Sequence, residues 1–302
     1  MPVTATTGIL QTATHGSGDS WTRFAPSIRL STLETALLKI SGVTVRREQT
    51  IILNDLSLTV PCGRHTAVLG PNGSGKSSLL KLLTRDFYPS IHADGTQGDV
   101  LILGESEWEV QQLRRRMGVV TPILDSEFGH GRTGQMTVRQ AIASGFTATR
   151  LHRFGPQLNQ RMQDQIDRAI SRVNIGDYEH RKVMTLSTGE RRRTLIARAI
   201  VHEPEIFVLD EPTSGLDIAA KAEFTSILAD LVDQDTMTIL LVTHHVDEIP
   251  PAMQHVVLLD QGRVVFDGAK QAALTKERMS QLFSTNVAIN QQPNGWYQAS
   301  VQ

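Results

Sequence analysis

The chain has 302 residues, of which 40% are hydrophobic and 20% charged, a composition typical of globular proteins. A formal net charge of −1 excludes a strong overall attraction to nucleic acid or to an acidic membrane surface. One cysteine, Cys62, excludes an internal disulfide framework and favours a reducing compartment. No apolar run approaches the roughly 18 residues that span a bilayer, so a membrane role would require docking onto another protein.

Residues 1–34 predict a flexible N-terminal tail, because they are rich in Thr, Ser and Gly and their apolar residues follow no pattern. They lack the charged start and apolar core of a secretory signal. Arg23 and Arg29 among hydroxyl residues leave a transit peptide open, although Asp19 and the low arginine content argue against it.

Short β-rich runs separated by turn residues begin at Leu37. A helix, Ser77–Leu83, follows a glycine-rich loop. The predicted strands of this part of the chain are Leu37–Val45, Leu56–Val60, Thr66–Leu69, Val100–Leu103 and Gly118–Thr121.

Residues from about 123 to 185 predict a helical insertion without strands. One apolar stripe at helical spacing favours core packing over a binding face. Its members are Leu158, Met162, Ile166, Ile170 and Val173. Two basic runs, Arg114–Arg116 and Arg191–Arg193, also lie in predicted helices, and we expect both to be solvated helix faces.

Alternation of strands and helices resumes after this insertion and predicts a layered α/β fold. The continuous apolar run Ile206–Leu209 suits the buried centre of a parallel sheet. The polar residues at the end of the chain carry no pattern that predicts a structure. The other predicted elements are an amphipathic helix marked by Phe224, Ile227, Leu228, Leu231 and Val232, a strand Thr238–Val242, a closing hairpin of His255–Leu259 with Arg263–Phe266, and a short helix Lys276–Phe283.

The glycine-rich loop after Thr66–Leu69 is a candidate phosphate site, because its backbone N–H groups are free to converge on phosphate oxygens. Lys76 can reach the β- and γ-phosphates, and the Ser77 hydroxyl is a hard ligand for Mg²⁺. A flexible turn is the alternative, but strand, loop, lysine and helix in register favour nucleotide binding. The loop residues are Gly70, Pro71, Asn72, Gly73, Ser74, Gly75, Lys76, Ser77 and Ser78.

An acidic pair, Asp210 and Glu211, follows the buried strand Ile206–Leu209. Neighbouring side chains at a strand end point in different directions, so Asp210 can face the metal while Glu211 faces the γ-phosphate. A glutamate there can accept a proton from the attacking water or orient it. The alternative is an acid pair that caps the next helix.

His244 stands just after the strand Thr238–Val242, at the sheet edge where ligands gather in such folds. It can donate a hydrogen bond to the γ-phosphate or contact the water. A lone histidine is more often structural, and the adjacent His245 weakens the signal.

The segment Leu186–Glu190 opens a helix, and helix openings bind anions. Ser187 and Glu190 also match a capping box, which merely starts a helix, and the two interpretations are compatible. Ser187 and the small Gly189 leave room for a phosphate. One chain thus offers one phosphate loop and one spare anion-binding helix end, which predicts a dimer around ATP.

The segments GPNGSGKSS, LSTGE, VLDEPTSGLD and VTHH, in this order and spacing, resemble the ATP-binding subunit of an ATP-binding cassette (ABC) transporter. The resemblance covers Leu37 to Gly268. It implies a P-loop NTPase fold, with a RecA-like core, an antiparallel β subdomain and an inserted helical subdomain at about 123–185. The implied organisation is a tail at 1–34, an ATPase domain at 35–270 and a C-terminal extension at 271–302.

The resemblance also implies roles for individual residues. Gly70–Ser78 would bind ATP and Mg²⁺, with Asp210 supporting the metal. Glu211 would be the catalytic base and His244 the switch histidine. Ser214–Asp217 would communicate across the dimer, where Ser187 and Gly189 contact the γ-phosphate held by the partner chain.

The implied function is ATP hydrolysis that energises a transporter. The chain would act as a homodimer or with a paired ATPase subunit, on separate membrane-spanning subunits at the inner face of the plasma membrane, with no nucleic acid partner. The runner-up is a soluble ABC ATPase acting on a macromolecule in DNA repair or translation, although the chain has neither coiled-coil arms nor a second cassette. A regulatory module with little turnover is the third possibility.

Finer features are similar to molybdenum-transport-type ATP-binding proteins, namely Glu107–Met117, Ser144–Phe146, Leu186–Glu190 and Asp247–Pro251. Three departures from the family pattern stand out. Arg46 and Arg47 occupy the region of the aromatic residue that stacks on adenine, so an arginine plane would have to replace it. Pro122 replaces a glutamine that senses γ-phosphate and relays to the membrane partner, which puts coupling in doubt, and Thr188 replaces the first glycine of the signature.

Overall fold

The structure, a computed structural model, describes residues 36–92, 94–147, 158–234 and 237–302. The predicted tail at 1–34 lies outside the described residues. The strands are β1 (Ala36–Arg47), β2 (Thr50–Pro61), β3 (Thr66–Leu69), β4 (Asp99–Ile102), β5 (Met117–Val120), β6 (Ile206–Asp210), β7 (Thr238–Thr243), β8 (His255–Asp260), β9 (Arg263–Ala269), β10 (Val287–Gln291) and β11 (Tyr297–Val301). The α-helices are α1 (Lys76–Leu83), α2 (Val110–Arg116), α3 (Pro122–Phe128), α4 (Gly131–Gly134), α5 (Val138–Ala143), α6 (Gln160–Arg172), α7 (Thr188–Ile200), α8 (Ile218–Gln234), α9 (Lys270–Ala273) and α10 (Lys276–Leu282).

The main sheet has six strands in the order β5-β6-β7-β3-β8-β9. The first five are mutually parallel, and β9 closes the sheet as an antiparallel hairpin with β8. Every residue of β3, β6 and β7 is buried, which is why these strands read as continuous apolar runs. Parallel strands end at the same edge, so the loops after β3, β6 and β7 meet there.

Two hydrophobic cores cover the two faces of this sheet, as strand alternation requires. On one face, Val68 and Val208 pack with α1 and with a three-stranded antiparallel sheet of order β2-β1-β4. On the other face, Leu69 and Phe207 pack with α5, α6, α7 and α8. The predicted α/β fold with a P-loop core, an antiparallel β sheet and a helical segment is confirmed.

The insertion is helical, as predicted. Between residues 123 and 147 and between 158 and 185 the structure contains helices and 3-10 turns, with one isolated bridge between Thr137 and Lys182 and no strand. Ile166, Ile170 and Val173 of the apolar stripe are buried in the core, which confirms their packing role.

The end of the chain, for which the sequence predicted no structure, forms the antiparallel pair β10–β11. β11 contacts the turn Val246–Glu248, which follows His244. Tyr297 at the start of β11 is 5% exposed, and its ring lies 5.7 Å from the ammonium of the buried Lys270. The C-terminal residues therefore pack directly behind one of the loops at the sheet edge.

Candidate active site

The phosphate loop joins β3 to α1, and close backbone approaches require its glycines. A Cβ on Gly70 would lie 2.2 Å from the carbonyl oxygen of Leu259, so no side chain fits there. Gly75 caps α1 with a φ of 105°, in the left-handed region, and contributes no capping side chain. The first N–H groups of α1 therefore face the loop without a side-chain acceptor, as an anion site requires.

Lys76 is held at the centre of this loop. Its Nζ donates hydrogen bonds to the carbonyl oxygens of Gly70, at 2.8 Å, and Pro71, at 2.9 Å. The same atom lies 3.8 Å from Oε1 of Glu211. Burial lowers the pKa of Lys76, and the negative charge of Glu211 partly offsets that effect. The ammonium is positioned where the loop and the strand-end acid meet.

Asp210 and Glu211 have different environments although they are adjacent. Asp210 ends β6 and is 9% exposed, and its Oδ1 is buried without a hydrogen-bond partner. Burial raises the pKa of Asp210 to about 6, and the charge of Glu211 contributes to the rise. Glu211 turns away with a φ of 44°, and its N–H donates to the carbonyl of Val242. The acid pair does not cap the next helix, because Asp217 accepts the capping bond from Ala220.

The donors around Asp210 fit a hard divalent cation. The Asp210 carboxylate and Ser77 line one cavity of about 420 Å³, which also contains Glu211. A hydroxyl and a carboxylate with an orphaned oxygen are oxygen ligands of the kind that Mg²⁺ prefers. A bound cation would supply charge for the phosphates and hold Asp210 ionised.

His244 meets Glu211 across the sheet edge. Its Nδ1 lies 3.1 Å from Oε1 of Glu211, within ion-pair distance but without hydrogen-bond alignment. The ring centroids of His244 and His245 lie 3.9 Å apart, with the two ring planes tilted by 40°. The structure thus brings Lys76, Glu211 and His244 together at the edge of the sheet.

Ser187 and Gly189 lie elsewhere, at the start of α7. The predicted capping box is present: the Ser187 hydroxyl accepts from the N–H of Glu190, and the Glu190 carboxylate accepts from the N–H of Ser187. Ser187 and Thr188 are exposed, and no hydrogen bond or ion pair joins Ser187–Gly189 to the phosphate loop in the described part of the chain. Gly189 also has a packing role, because its Cβ would lie 3.0 Å from that of Ala220.

The departures from the family pattern also have places in the structure. Pro122 begins α3, whose first turn is capped by Thr121, and it lines the same cavity as Asp210 and Glu211. Arg46 and Arg47 are exposed at the end of β1, opposite Ile51 and Thr50 of β2.

The expectation of a solvated face for Arg191–Arg193 is wrong. Arg192 is 2% and Arg193 8% exposed, and Arg191 and Arg192 both pair with the buried Asp125 of α3. Glu248, which no sequence pattern singled out as a site residue, is a 1% exposed acid whose carboxylate accepts hydrogen bonds from the hydroxyls of Thr213 and Thr243. The run of three arginines could have indicated the burial of Arg192 and Arg193, because three consecutive residues of a helix cannot all lie on its exposed face.

This arrangement of phosphate loop, strand-end acid pair and sheet-edge histidine on a mostly parallel sheet defines a P-loop nucleotide-binding ATPase. The family described as "ABC transporter" matches residues 53–214. The chain therefore belongs to the ATP-binding proteins of the ABC transporter family, and its activity is ATP hydrolysis.

Individual relatives agree with this assignment. The zinc uptake system ATP-binding protein ZurA of Listeria monocytogenes is 32% identical over 233 residues, covering 77% of this chain and 86% of the relative. The cobalamin import ATP-binding protein BtuD of Halobacterium salinarum is 29% identical over 256 residues, covering 85% of this chain and 61% of the relative.

A solved structure is also similar. It is cbiO1 from Clostridium perfringens, described as part of the ABC transporter complex cbiONQ, with 25% identity and a TM-score of 0.67. The match covers 82% of this chain and 94% of the solved chain. In the described residues, no helix has the length and apolar character to cross a membrane.

Proposed function

We propose that the chain hydrolyses ATP as a dimer with two shared sites. Each site would consist of Gly70–Ser78 of one copy and the start of α7, with Ser187 and Gly189, of the other. The observation that supports this most is the exposed N-terminus of α7, a 13-residue helix. Among the described residues, neither Asp210 nor Glu211 contacts this positive helix end, so it is open to an anion. The γ-phosphate of ATP bound to the phosphate loop of a second copy would bind at this helix end.

Within each site, the residues have distinct tasks. Lys76 binds the β- and γ-phosphates, and Ser77 and Asp210 hold Mg²⁺, which supplies charge neutralisation. Glu211 orients the attacking water and accepts its proton, and His244 contacts the γ-phosphate or the water. The 3.1 Å approach of His244 to Glu211 supports a joint action of the two side chains.

Hydrolysis would drive separate membrane-spanning subunits at the inner face of the plasma membrane. The relatives named above are transporter components, which supports spanning partners for this chain. Ile123, 61% exposed, lines the cavity of Asp210 and Glu211, so a partner seated on it would sense the site directly. The molybdenum-type resemblance stays a prediction.

Replacement of Glu211 tests the catalytic assignment. In Glu211→Gln, turnover should fall about 100- to 10,000-fold through loss of the general base, while ATP binding stays intact and a dimer accumulates. The control is Glu205→Gln, which changes an exposed acid just before β6, at the opposite sheet edge. Steady-state hydrolysis, nucleotide titration and light scattering give the three readouts. Unchanged turnover in Glu211→Gln would contradict the assignment.

A further inference from the structure

Asp125 is a buried carboxylate that joins α3 to α7. It is 5% exposed and faces two guanidinium groups one residue apart on α7. Arg191 donates through Nε to Oδ1 at 2.7 Å, and Arg192 donates through Nη2 to Oδ2 at 2.7 Å. A buried carboxylate between two guanidiniums fixes the first turns of α7 relative to α3.

Arg192 makes further contacts that Arg191 does not share. Its Nη1 donates to the carbonyl oxygen of Pro212, and its Nη2 lies 3.3 Å from the carbonyl oxygen of Ser214. These carbonyls belong to the segment that follows Glu211. Five donors in a rigid plane let a single guanidinium hold a carboxylate and two carbonyls at once.

The backbone around Glu211 is therefore held from two sides. The N–H of Glu211 donates to the carbonyl of Val242 in the neighbouring strand, and Arg192 holds the carbonyls of Pro212 and Ser214. Glu211 itself has a φ of 44°, a conformation that is unfavourable for glutamate and persists only when the surroundings hold it. Arg192, together with Glu248, which binds the Thr213 hydroxyl, is placed to hold it.

We propose that Arg192, oriented by Asp125, is a positioning residue that sets the place of Glu211 for ATP hydrolysis. This proposal rests on the proposed role of Glu211. α3 lines the cavity beside Glu211, and Ser187 caps the start of α7. The ion pair of Asp125 with Arg192 therefore links both helices to the segment that follows Glu211. Among the described residues, Arg192 makes no hydrogen bond or ion pair with the phosphate loop, so its effect is on the rate of turnover and not on ATP affinity.

Two neighbouring arginines provide a matched test. Arg192→Gln and Arg192→Lys should lower kcat about 10- to 100-fold with little change in the Kd for ATP, because displacing a catalytic group by about 1 Å has effects of that size. Lysine keeps the charge beside Asp125 but cannot reach both carbonyls. Arg191→Gln removes one ion pair of Asp125 and no carbonyl contact, and its kcat should stay within about twofold of wild type.

The measurements are kcat, the Kd for ATP by calorimetry, and the free energy of unfolding in urea. Wild-type kcat in folded Arg192→Lys, or equal losses of kcat in Arg191→Gln and Arg192→Lys, would overturn the proposal. Arg192→Lys carries the test if Arg192→Gln does not fold. If Glu211→Gln is inactive while Arg192→Lys is fully active, the positioning role alone fails. If Glu211→Gln is active, the proposed function fails.

Discussion

The buried side chain of Glu248 connects the loop after β6 with the loop after β7. Its Oε2 accepts from the hydroxyl of Thr243 at 2.5 Å, and its Oε1 accepts from the hydroxyl of Thr213. Thr243 immediately precedes His244, and Thr213 lies two residues after Glu211. The ammonium of Lys221 stands 3.7 Å from Oε1 and balances the charge. Glu248 therefore fixes the distance between the loops after β6 and β7.

Replacement of Glu248 by glutamine should destabilise the protein by about 1–3 kcal/mol, because one acceptor becomes a donor and the buried charge that faces Lys221 is lost. Asp247→Asn is the matched control: Asp247 pairs with the same lysine but is 46% exposed, so its loss should cost less than about 1 kcal/mol. Urea unfolding of both variants measures the difference. Equal stability losses would show that burial of Glu248 has no special role.

Among single residues, the sequence predicted those that stand at the end of a recognisable strand. Asp210, Glu211 and His244 each follow a continuous apolar strand, and parallel strands bring such residues to one edge. Asp125 and Arg192 were missed because their burial depends on each other, across 67 positions of the chain. No local pattern records a contact of that kind.

Among the elements, the hairpin β10–β11 covers a buried lysine. Lys270 is 2% exposed, and its Nζ donates to the carbonyls of Pro250 and Pro251, at 2.9 and 2.8 Å. Tyr297 covers it from β11. Burial lowers the pKa of Lys270 to about 8. The hairpin thus packs over an ammonium group whose desolvation costs stability.

The free energy of unfolding should consequently rise between about pH 8 and pH 10. The unfolded chain, with a lysine pKa of about 10.4, holds this proton over a range where the folded protein has released it. In Lys270→Met, we expect the free energy of unfolding to rise by about 1–3 kcal/mol less than in the wild type over this pH range. The control is Lys276→Met, which changes an exposed lysine at the start of α10. Urea unfolding at pH 7.5 and 9.5 provides the values, and identical pH slopes in wild type and Lys270→Met would contradict the expectation.

The elements differ in how far the sequence predicted them. β3, β6 and β7 were placed within a residue or two, because buried parallel strands are uninterrupted apolar runs. β10 and β11 were missed because both carry many exposed polar residues, and only Val287 and Tyr297 are fully buried. β10 packs on α10 and β11 on the turn after His244, and no periodicity in the sequence shows these contacts.

At the scale of the whole molecule, the two halves of the proposed ATP site lie on different surfaces. The phosphate loop, Asp210, Glu211 and His244 meet at one sheet edge, whereas the capped start of α7 is exposed, and Arg192 links α7 to the segment after Glu211. The sequence predicts this separation, because one chain offers one phosphate loop and one further helix opening that can bind an anion.

A mixing experiment tests the shared site most directly. Lys76→Ala removes the phosphate loop's lysine from one copy, and Ser187→Arg blocks the α7 start of the other. Each variant alone should be inactive, but an equimolar mixture should recover about a quarter of wild-type ATP turnover, since half of the dimers are mixed and each holds one intact site. A mixture no more active than its components, with mixed dimers shown to form, would contradict the account.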